Sequence, residues 1–114
     1  MTDKSPITTH ILDLGTGLPA AGVQVLLEYQ THNGWEKLAE AWTDQDGRIM
    51  QGFGSEAAEG VYRLTFDTDT YYAEQGESCF YPEVTISFRL SDTARHYHVP
   101  LLLNQWGYST YRGS

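Results

Sequence analysis

The chain has 114 residues, which is the size of one domain with one hydrophobic core, and we expect a single domain over residues 1–114. Seven Lys and Arg residues face fifteen Asp and Glu residues, so the net charge is -8. A chain this acidic is repelled by phosphate backbones and by anionic lipid, which makes nucleic acid and membrane surfaces poor partners.

The single cysteine, Cys79, cannot form a disulfide within the chain. The apolar runs are far shorter than a membrane span. The first ten residues lack the apolar stretch of a secretory signal. We therefore expect a cytoplasmic protein.

The first half of the chain reads as strands joined by tight turns. Residues 7–14 form a first strand, and the alternation of apolar with other side chains from Val23 to Tyr29 predicts a second. Asn33 and Gly34 predict a hairpin turn with positive φ at both central positions, after which residues 35–43 return as a strand. Asp46 and Gly47 predict a further turn before a short strand at residues 48–50.

The second half continues the pattern, with one interruption. Residues 60–67 predict a strand, and Asp69 with Thr70 predicts the start of a short helix that ends at Gly76. Residues 82–90 and 96–103 predict two strands that pair around a polar turn at residues 91–94. About seven short strands with turns between them indicate an all-β sandwich of two sheets.

Two histidines fall on the less apolar faces of their strands. In the last strand Tyr97, Val99 and Leu101 share one face, so His98 points away from the core. The same alternation places His10 outside the core in the first strand. Outward histidines are most often ordinary surface residues. Zinc binding is the sharper alternative, because His96 and His98 project the same way and His10 could provide a third ligand.

Apolar residues on the outer side of the last strand also need an explanation. Pro100, Leu102 and Trp106 would leave apolar surface on a monomer of this size. Burial of that surface predicts a homo-oligomer.

Six short motifs follow one another along the chain in the order of a known family. They are ITTHILD at 7–13, GLPA at 17–20, DGR at 46–48, FYPEV at 80–84, HYHVPLLL at 96–103 and YRGS at 111–114. Together they resemble the transthyretin-like family, and the terminal YRGS resembles its 5-hydroxyisourate hydrolase branch, since the hormone-carrying transthyretins lack that ending. Asn104 and Gln105 stand where the family usually has Ser-Pro.

The resemblance implies a Greek-key β-sandwich with seven to eight strands and one short helix. It also implies a homotetrameric hydrolase that opens the ring of 5-hydroxyisourate in urate degradation, at sites between subunits. The residues carried over as catalytic are His10, Arg48 and His98, with Tyr111 and Ser114 as substrate-binding residues.

Hydrolysis of an amide needs a proton acceptor near neutral pH and a fixed cation, which histidine and arginine provide. The two histidines would activate water and transfer protons, and the residues do not reveal which one is the base. Arg112 is interpreted as a solvated or tail-anchoring cation. Water and side chains suffice for this step, so neither a cofactor nor a metal is expected.

A non-catalytic function stays open beside the hydrolase. The same sandwich could hold a small aromatic ligand between subunits, with the histidines as hydrogen-bonding wall residues. In such a carrier the terminal tail would have no role.

Overall fold

The structure, a computed structural model, describes residues 5–114 and contains nine strands and one short helix. The strands are β1 (Ile7–Asp13), β2 (Leu18–Pro19), β3 (Gln24–Thr31), β4 (Gly34–Trp42), β5 (Arg48–Ile49), β6 (Gly60–Phe66), β7 (Val84–Leu90), β8 (Tyr97–Leu103) and β9 (Tyr108–Thr110). The helix α1 (Thr68–Ala73) lies between β6 and β7. The predicted all-β fold with one short helix is confirmed. No helix within residues 5–114 is long and apolar enough to cross a membrane.

The strands form two sheets. In the first sheet the order is β2-β1-β8-β9, and β5 also pairs with β1. In the second sheet the order is β4-β3-β6-β7. Most pairs are antiparallel, whereas β1 and β8 run parallel over their whole length.

The core lies between the two sheets and follows the two-residue period of the strands. The largest side chains that are fully buried come from both sheets: Tyr62, Phe66, Ile7, Ile11, Leu27, Leu64, Leu90, Leu101, Leu103, Val23, Val25 and Val84. Burial of these apolar faces stabilises the sandwich, because each large side chain contributes roughly 1.5–3 kcal/mol when it leaves water. The opposite face of the first sheet remains available for polar side chains.

The predicted pairing of the last two long strands is wrong. β7 lies at the edge of one sheet and β8 lies inside the other, between β1 and β9. Both edges of β8 are already paired, so β7 has no edge of β8 to join. The connecting residues instead lead from the second sheet to the first. The Tyr97 hydroxyl accepts hydrogen bonds from the backbone N–H groups of Ser91 and Asp92 in this connection, at 3.3 and 2.9 Å.

The hairpin between β3 and β4 is confirmed, but its turn differs from the prediction. Thr31 pairs with Gly34, so the two loop residues are His32 and Asn33. Within residues 5–114 positive φ is confined to glycines, and Gly34 has φ 120°. Gly34 therefore occupies the last of the four turn positions, where glycine is favoured in a type I turn.

The short helix is confirmed, but its cap is Asp67 instead of Asp69. The Asp67 carboxylate accepts a hydrogen bond from the backbone N–H of Thr70 at 3.1 Å. Because the helix begins at Thr68, this N–H is one of the donors that the helix itself cannot satisfy. Gly76 has φ 72° beyond the helix, in the left-handed region that was predicted.

A buried carboxylate joins the helix to the end of β1. Asp13 is 2% exposed and accepts hydrogen bonds from the backbone N–H of Gly15 at 2.9 Å and from the Tyr71 hydroxyl at 2.8 Å. Burial and the bond to Asp13 raise the pKa of Tyr71 to about 12. The neighbouring Tyr72 hydroxyl is also buried, yet it has no hydrogen-bond partner among the described residues.

These two tyrosines predict different effects of losing one hydroxyl. Tyr71→Phe should lower the free energy of unfolding by about 1.5–3 kcal/mol, because the Asp13 carboxylate loses a donor that it needs while buried. Tyr72→Phe should leave it unchanged or raise it, since the buried hydroxyl makes no bond that would be lost and its removal relieves a desolvation cost. Urea denaturation of both variants measures the difference. Equal losses would contradict the role of Asp13.

Candidate active site

The candidate site lies on the outer face of the first sheet, across β5, β1 and β8. His10 pairs with Arg48 of β5 on one side and with Pro100 of β8 on the other. Thr8 pairs with His98 in the same parallel register. Paired residues share a face of a sheet, as do residues two apart on one strand. The register therefore places Arg48, His10, Thr8 and His98 together.

The three predicted catalytic side chains form a bent row on that face. His10 and His98 are diagonal neighbours across β1 and β8, a relation that separates Cα atoms by about 7–8 Å. His10, Arg48 and His98 are each half-buried. A small planar molecule could therefore touch both imidazoles and the guanidinium from the outer side. Their assignment to catalysis stays a prediction.

The surroundings of His10 favour its neutral form. Burial is the main cause that lowers its pKa below the ordinary value of 6.5, and the Arg48 guanidinium lowers it further. The carboxylates of Asp44 and Asp46 act in the opposite direction but do not cancel the shift. A neutral imidazole at neutral pH can accept a proton, which is what a general base must do.

The turn before β5 fixes Arg48 beside His10. The Asp44 carboxylate accepts hydrogen bonds from the backbone N–H groups of Asp46 and Arg48 at 2.9 and 3.0 Å. Gly47 has φ 73°, and a Cβ on it would lie 2.6 Å from the carbonyl oxygen of Ile11. The Ile11 N–H donates to the Gly47 carbonyl at 2.8 Å. The predicted turn is thus confirmed, and glycine is required where it packs against β1.

His98 is held from below by a buried hydroxyl. Thr8 Oγ1 lies 2.7 Å from His98 Nδ1 and 2.9 Å from His96 Nε2. Thr8 is completely buried. Its hydroxyl therefore connects two imidazoles on the face that carries the candidate site.

The terminal tail returns along β8 and covers part of this face. The Gly113 N–H donates to the His98 carbonyl at 2.9 Å. A Cβ on Gly113 would lie 2.6 Å from His98 Cδ2 and 3.2 Å from Pro100 Cγ. Pro100 is consequently buried within the chain, so the expectation that it adds to exposed apolar surface is wrong. Glycine is needed here because any side chain would displace the imidazole.

The remaining tail residues differ in their surroundings. The Arg112 guanidinium lies 4.5 Å from the centre of the Tyr97 ring, a cation-π contact that anchors the tail. Tyr111 is 58% exposed, and Ser114 is exposed at the end of the chain. Their predicted substrate contacts stay predictions.

Two residues of this face were missed by the sequence reasoning. Thr8 precedes His10 by two residues and therefore shares its face, but the sequence analysis assigns it no role. Gly113 lies within the YRGS motif and is likewise assigned no role there. The register with His98 was the missing information in both cases.

The zinc alternative depends on three side chains that could hold one metal ion. Throughout residues 5–114, no three side chains of His, Cys, Asp or Glu are placed to hold a metal ion together. The zinc alternative requires His10, His96 and His98 to converge in that way.

A cavity of about 320 Å³ opens between the edges of the two sheets. Its lining includes Phe88 of β7, Tyr97 and His98 of β8, and Tyr111 and Arg112 of the tail. The cavity is largely apolar, and it shares His98 and Tyr111 with the candidate site, whereas His10 and Arg48 do not line it.

The fold and the site define a two-sheet β-sandwich that presents two imidazoles and a guanidinium on one outer face. A sequence profile described as the HIUase/Transthyretin family matches residues 7–113. The chain therefore belongs to the HIUase/Transthyretin family, and the resemblance drawn from its motifs is confirmed.

Individual relatives agree with this membership. A 5-hydroxyisourate hydrolase of Salmonella typhimurium is 50% identical over 95% of this chain and 80% of its own length. The structure of Klebsiella pneumoniae 5-hydroxyisourate hydrolase superposes with a TM-score of 0.84 at 37% identity, covering 95% of this chain and 98% of that one. Transthyretin from Sparus aurata superposes with a TM-score of 0.90 at 32% identity, covering 96% of this chain and 97% of that one.

The electrostatics of His10 can be tested without any substrate. We expect His10 to titrate below 6.5 in the intact protein, and Arg48→Ala to raise its pKa because a cation that disfavours the imidazolium is removed. Arg48→Lys retains the charge and should keep the pKa low. Following the His10 ring signals by NMR against pH measures all three. A wild-type pKa above 6.5, or no rise in Arg48→Ala, would contradict this description.

Proposed function

We propose that this chain is a 5-hydroxyisourate hydrolase, which opens the ring of 5-hydroxyisourate by adding water as part of urate degradation. The observation that carries the proposal is the juxtaposition of His10, Arg48 and His98 on one face of the first sheet. The relatives named 5-hydroxyisourate hydrolase indicate which substrate the site would take. The transthyretin neighbour has the same sandwich, so the fold alone does not separate enzyme from carrier.

The proposed reaction uses each group for one task. His10, neutral because its pKa is lowered, accepts a proton from water as the water oxygen bonds to the ring carbonyl carbon. Arg48 stabilises the negative charge that develops on the carbonyl oxygen. His98 gives a proton to the ring nitrogen as the carbon–nitrogen bond breaks. The proton that His10 accepted then passes to His98 through solvent, so both imidazoles return to their starting state. One water is consumed, and its atoms are shared between the new carboxyl group and the released nitrogen.

The tail completes the site in this proposal. Gly113 lies against the His98 ring and brings the chain end close to the imidazole. Tyr111 and Ser114 would contact the substrate from that position, and the Arg112 contact with Tyr97 would hold the tail in place.

We also propose a homotetramer with the sites between subunits. Large apolar side chains are exposed: Trp106 is 69% exposed, Leu18 of β2 62% and Leu14 50%. Trp106 lies at the tip of a turn that Asn104 closes, because the Asn104 side chain accepts the Trp106 N–H at 2.8 Å. β7 and β9 also end their sheets with unpaired edges, which a second copy could pair with.

The hydrolase proposal predicts large losses from three substitutions. His10→Asn, His98→Asn and Arg48→Ala should each lower kcat/KM for freshly generated 5-hydroxyisourate by roughly 10²-fold, which corresponds to about 2.7 kcal/mol. Gly113→Ala belongs to the same series, because the added Cβ displaces the His98 ring. The rate of substrate disappearance in the ultraviolet measures each variant.

The matched control in that series is His32→Asn, which removes an exposed histidine in the hairpin turn. It should retain wild-type kcat/KM. Near wild-type turnover in all four site variants would refute the assigned roles.

The assembly proposal predicts the mass of the particle in solution. Light scattering at micromolar concentration should give about four times the 12.9 kDa of one chain, because exposed apolar surface favours association. A particle of 12.9 kDa would be a monomer and would refute the proposal that the sites lie between subunits.

A further inference from the structure

The buried hydroxyl of Thr8 lies between the imidazoles of His96 and His98. Because it has one hydrogen to donate, it limits the tautomers that the two imidazoles can adopt. Thr8 Oγ1 is 2.7 Å from His98 Nδ1 and 2.9 Å from His96 Nε2. A hydroxyl donates one hydrogen bond and otherwise accepts. Thr8 can therefore donate to one imidazole and accept from the other, or accept from both and donate elsewhere. His98 carries its proton on Nε2 only when Thr8 donates to His98 Nδ1.

Three arrangements are compatible with these contacts. In the first, His96 Nε2–H donates to Thr8 and Thr8 donates to His98 Nδ1, so a neutral His98 carries its proton on Nε2. In the other two, His98 Nδ1–H donates to Thr8, which itself donates to His96 or to a third group, so a neutral His98 carries no proton on Nε2. Which group donates in the hydrogen bond between Thr8 and His98 thus decides which nitrogen of His98 carries the proton that it can give.

We propose that Thr8 and His96 are positioning residues that hold neutral His98 in the tautomer with its proton on Nε2. This inference rests on the proposed hydrolase function, in which His98 gives a proton to the leaving nitrogen. His10 already provides the proton acceptor on the same face, so a donor is the complementary group that the reaction needs. Thr8 acts through His98 and does not touch the substrate.

The local packing supports a defined arrangement. Thr8 is completely buried, and its position is fixed by the parallel register that pairs it with His98. The His96 and His98 rings lie 6.3 Å apart with an angle of 28° between their planes, as expected for two residues on one face of a strand that share a partner below them. A buried hydroxyl that accepts from His96 can direct its own hydrogen to His98 Nδ1, which leaves the imidazole proton on Nε2.

Thr8→Val removes the hydroxyl and retains the shape of the side chain. We expect the ring nitrogen signals of neutral His98, measured by ¹⁵N NMR, to change from the Nε2–H tautomer to a mixture of both. Thr8→Ser retains the hydroxyl and should restore the wild-type signals. His96→Phe removes the donor to Thr8 and should also lower the fraction of the Nε2–H tautomer.

Thr9→Val is the matched control. Thr9 is equally buried on the same strand, but its hydroxyl donates to the Val99 carbonyl on the core side at 2.6 Å. This variant should leave the His98 tautomer unchanged. It also measures what the loss of a buried hydroxyl costs in stability.

The catalytic consequence appears in kcat and not in KM. Thr8→Val should lower kcat about tenfold with KM within about twofold, and Thr8→Ser should restore most of kcat. A wild-type His98 that already lacks the Nε2 proton, or an unchanged tautomer in Thr8→Val, would overturn the inference whatever the activity. A tautomer shift in a protein that does not hydrolyse 5-hydroxyisourate would instead refute the proposed function.

Discussion

β1 and β8 pair in parallel from Ile7 against Tyr97 to Asp13 against Leu103, and the candidate site depends on that register. It brings His10 and Thr8 of one strand onto the same face as His98 of the other, although nearly ninety residues separate them in the chain. A shift by one residue would turn one set of these side chains toward the core. The apolar residues that alternate with them prevent such a shift, because they must remain buried between the sheets.

The pairing of further segments with β1 and β8 also determines the surroundings of His10 and His98 on the outer face. β5 adds Arg48 beside His10, and the tail adds Gly113 beside His98. Each neighbour approaches through backbone hydrogen bonds and a glycine that permits close contact. The imidazoles become half-buried in consequence, which lowers the pKa of His10 and confines His98 next to Thr8. The backbone pairing that builds the first sheet therefore also sets the burial of both imidazoles.

Much of this could be predicted from the sequence, because alternation is a local property. The period of two predicts the alternation in β3 and the core face of β8, and it places His10 and His98 outside the core. The pairing of β7 with β8 was predicted wrongly, since adjacency in the chain suggested a hairpin. Only the three-dimensional arrangement reveals that β1 and β9 occupy both edges of β8. The roles of Thr8 and Gly113 depend on that arrangement, so no local pattern could reveal them.

The most direct test of the account is a crystal structure with a purine-dione analogue that resists ring opening. The account predicts that the analogue lies on the outer face of the first sheet, in contact with His10, Arg48 and His98. An analogue that touches neither His10 nor Arg48 and lies instead between the sheet edges, against Phe88, would contradict it and would favour a carrier.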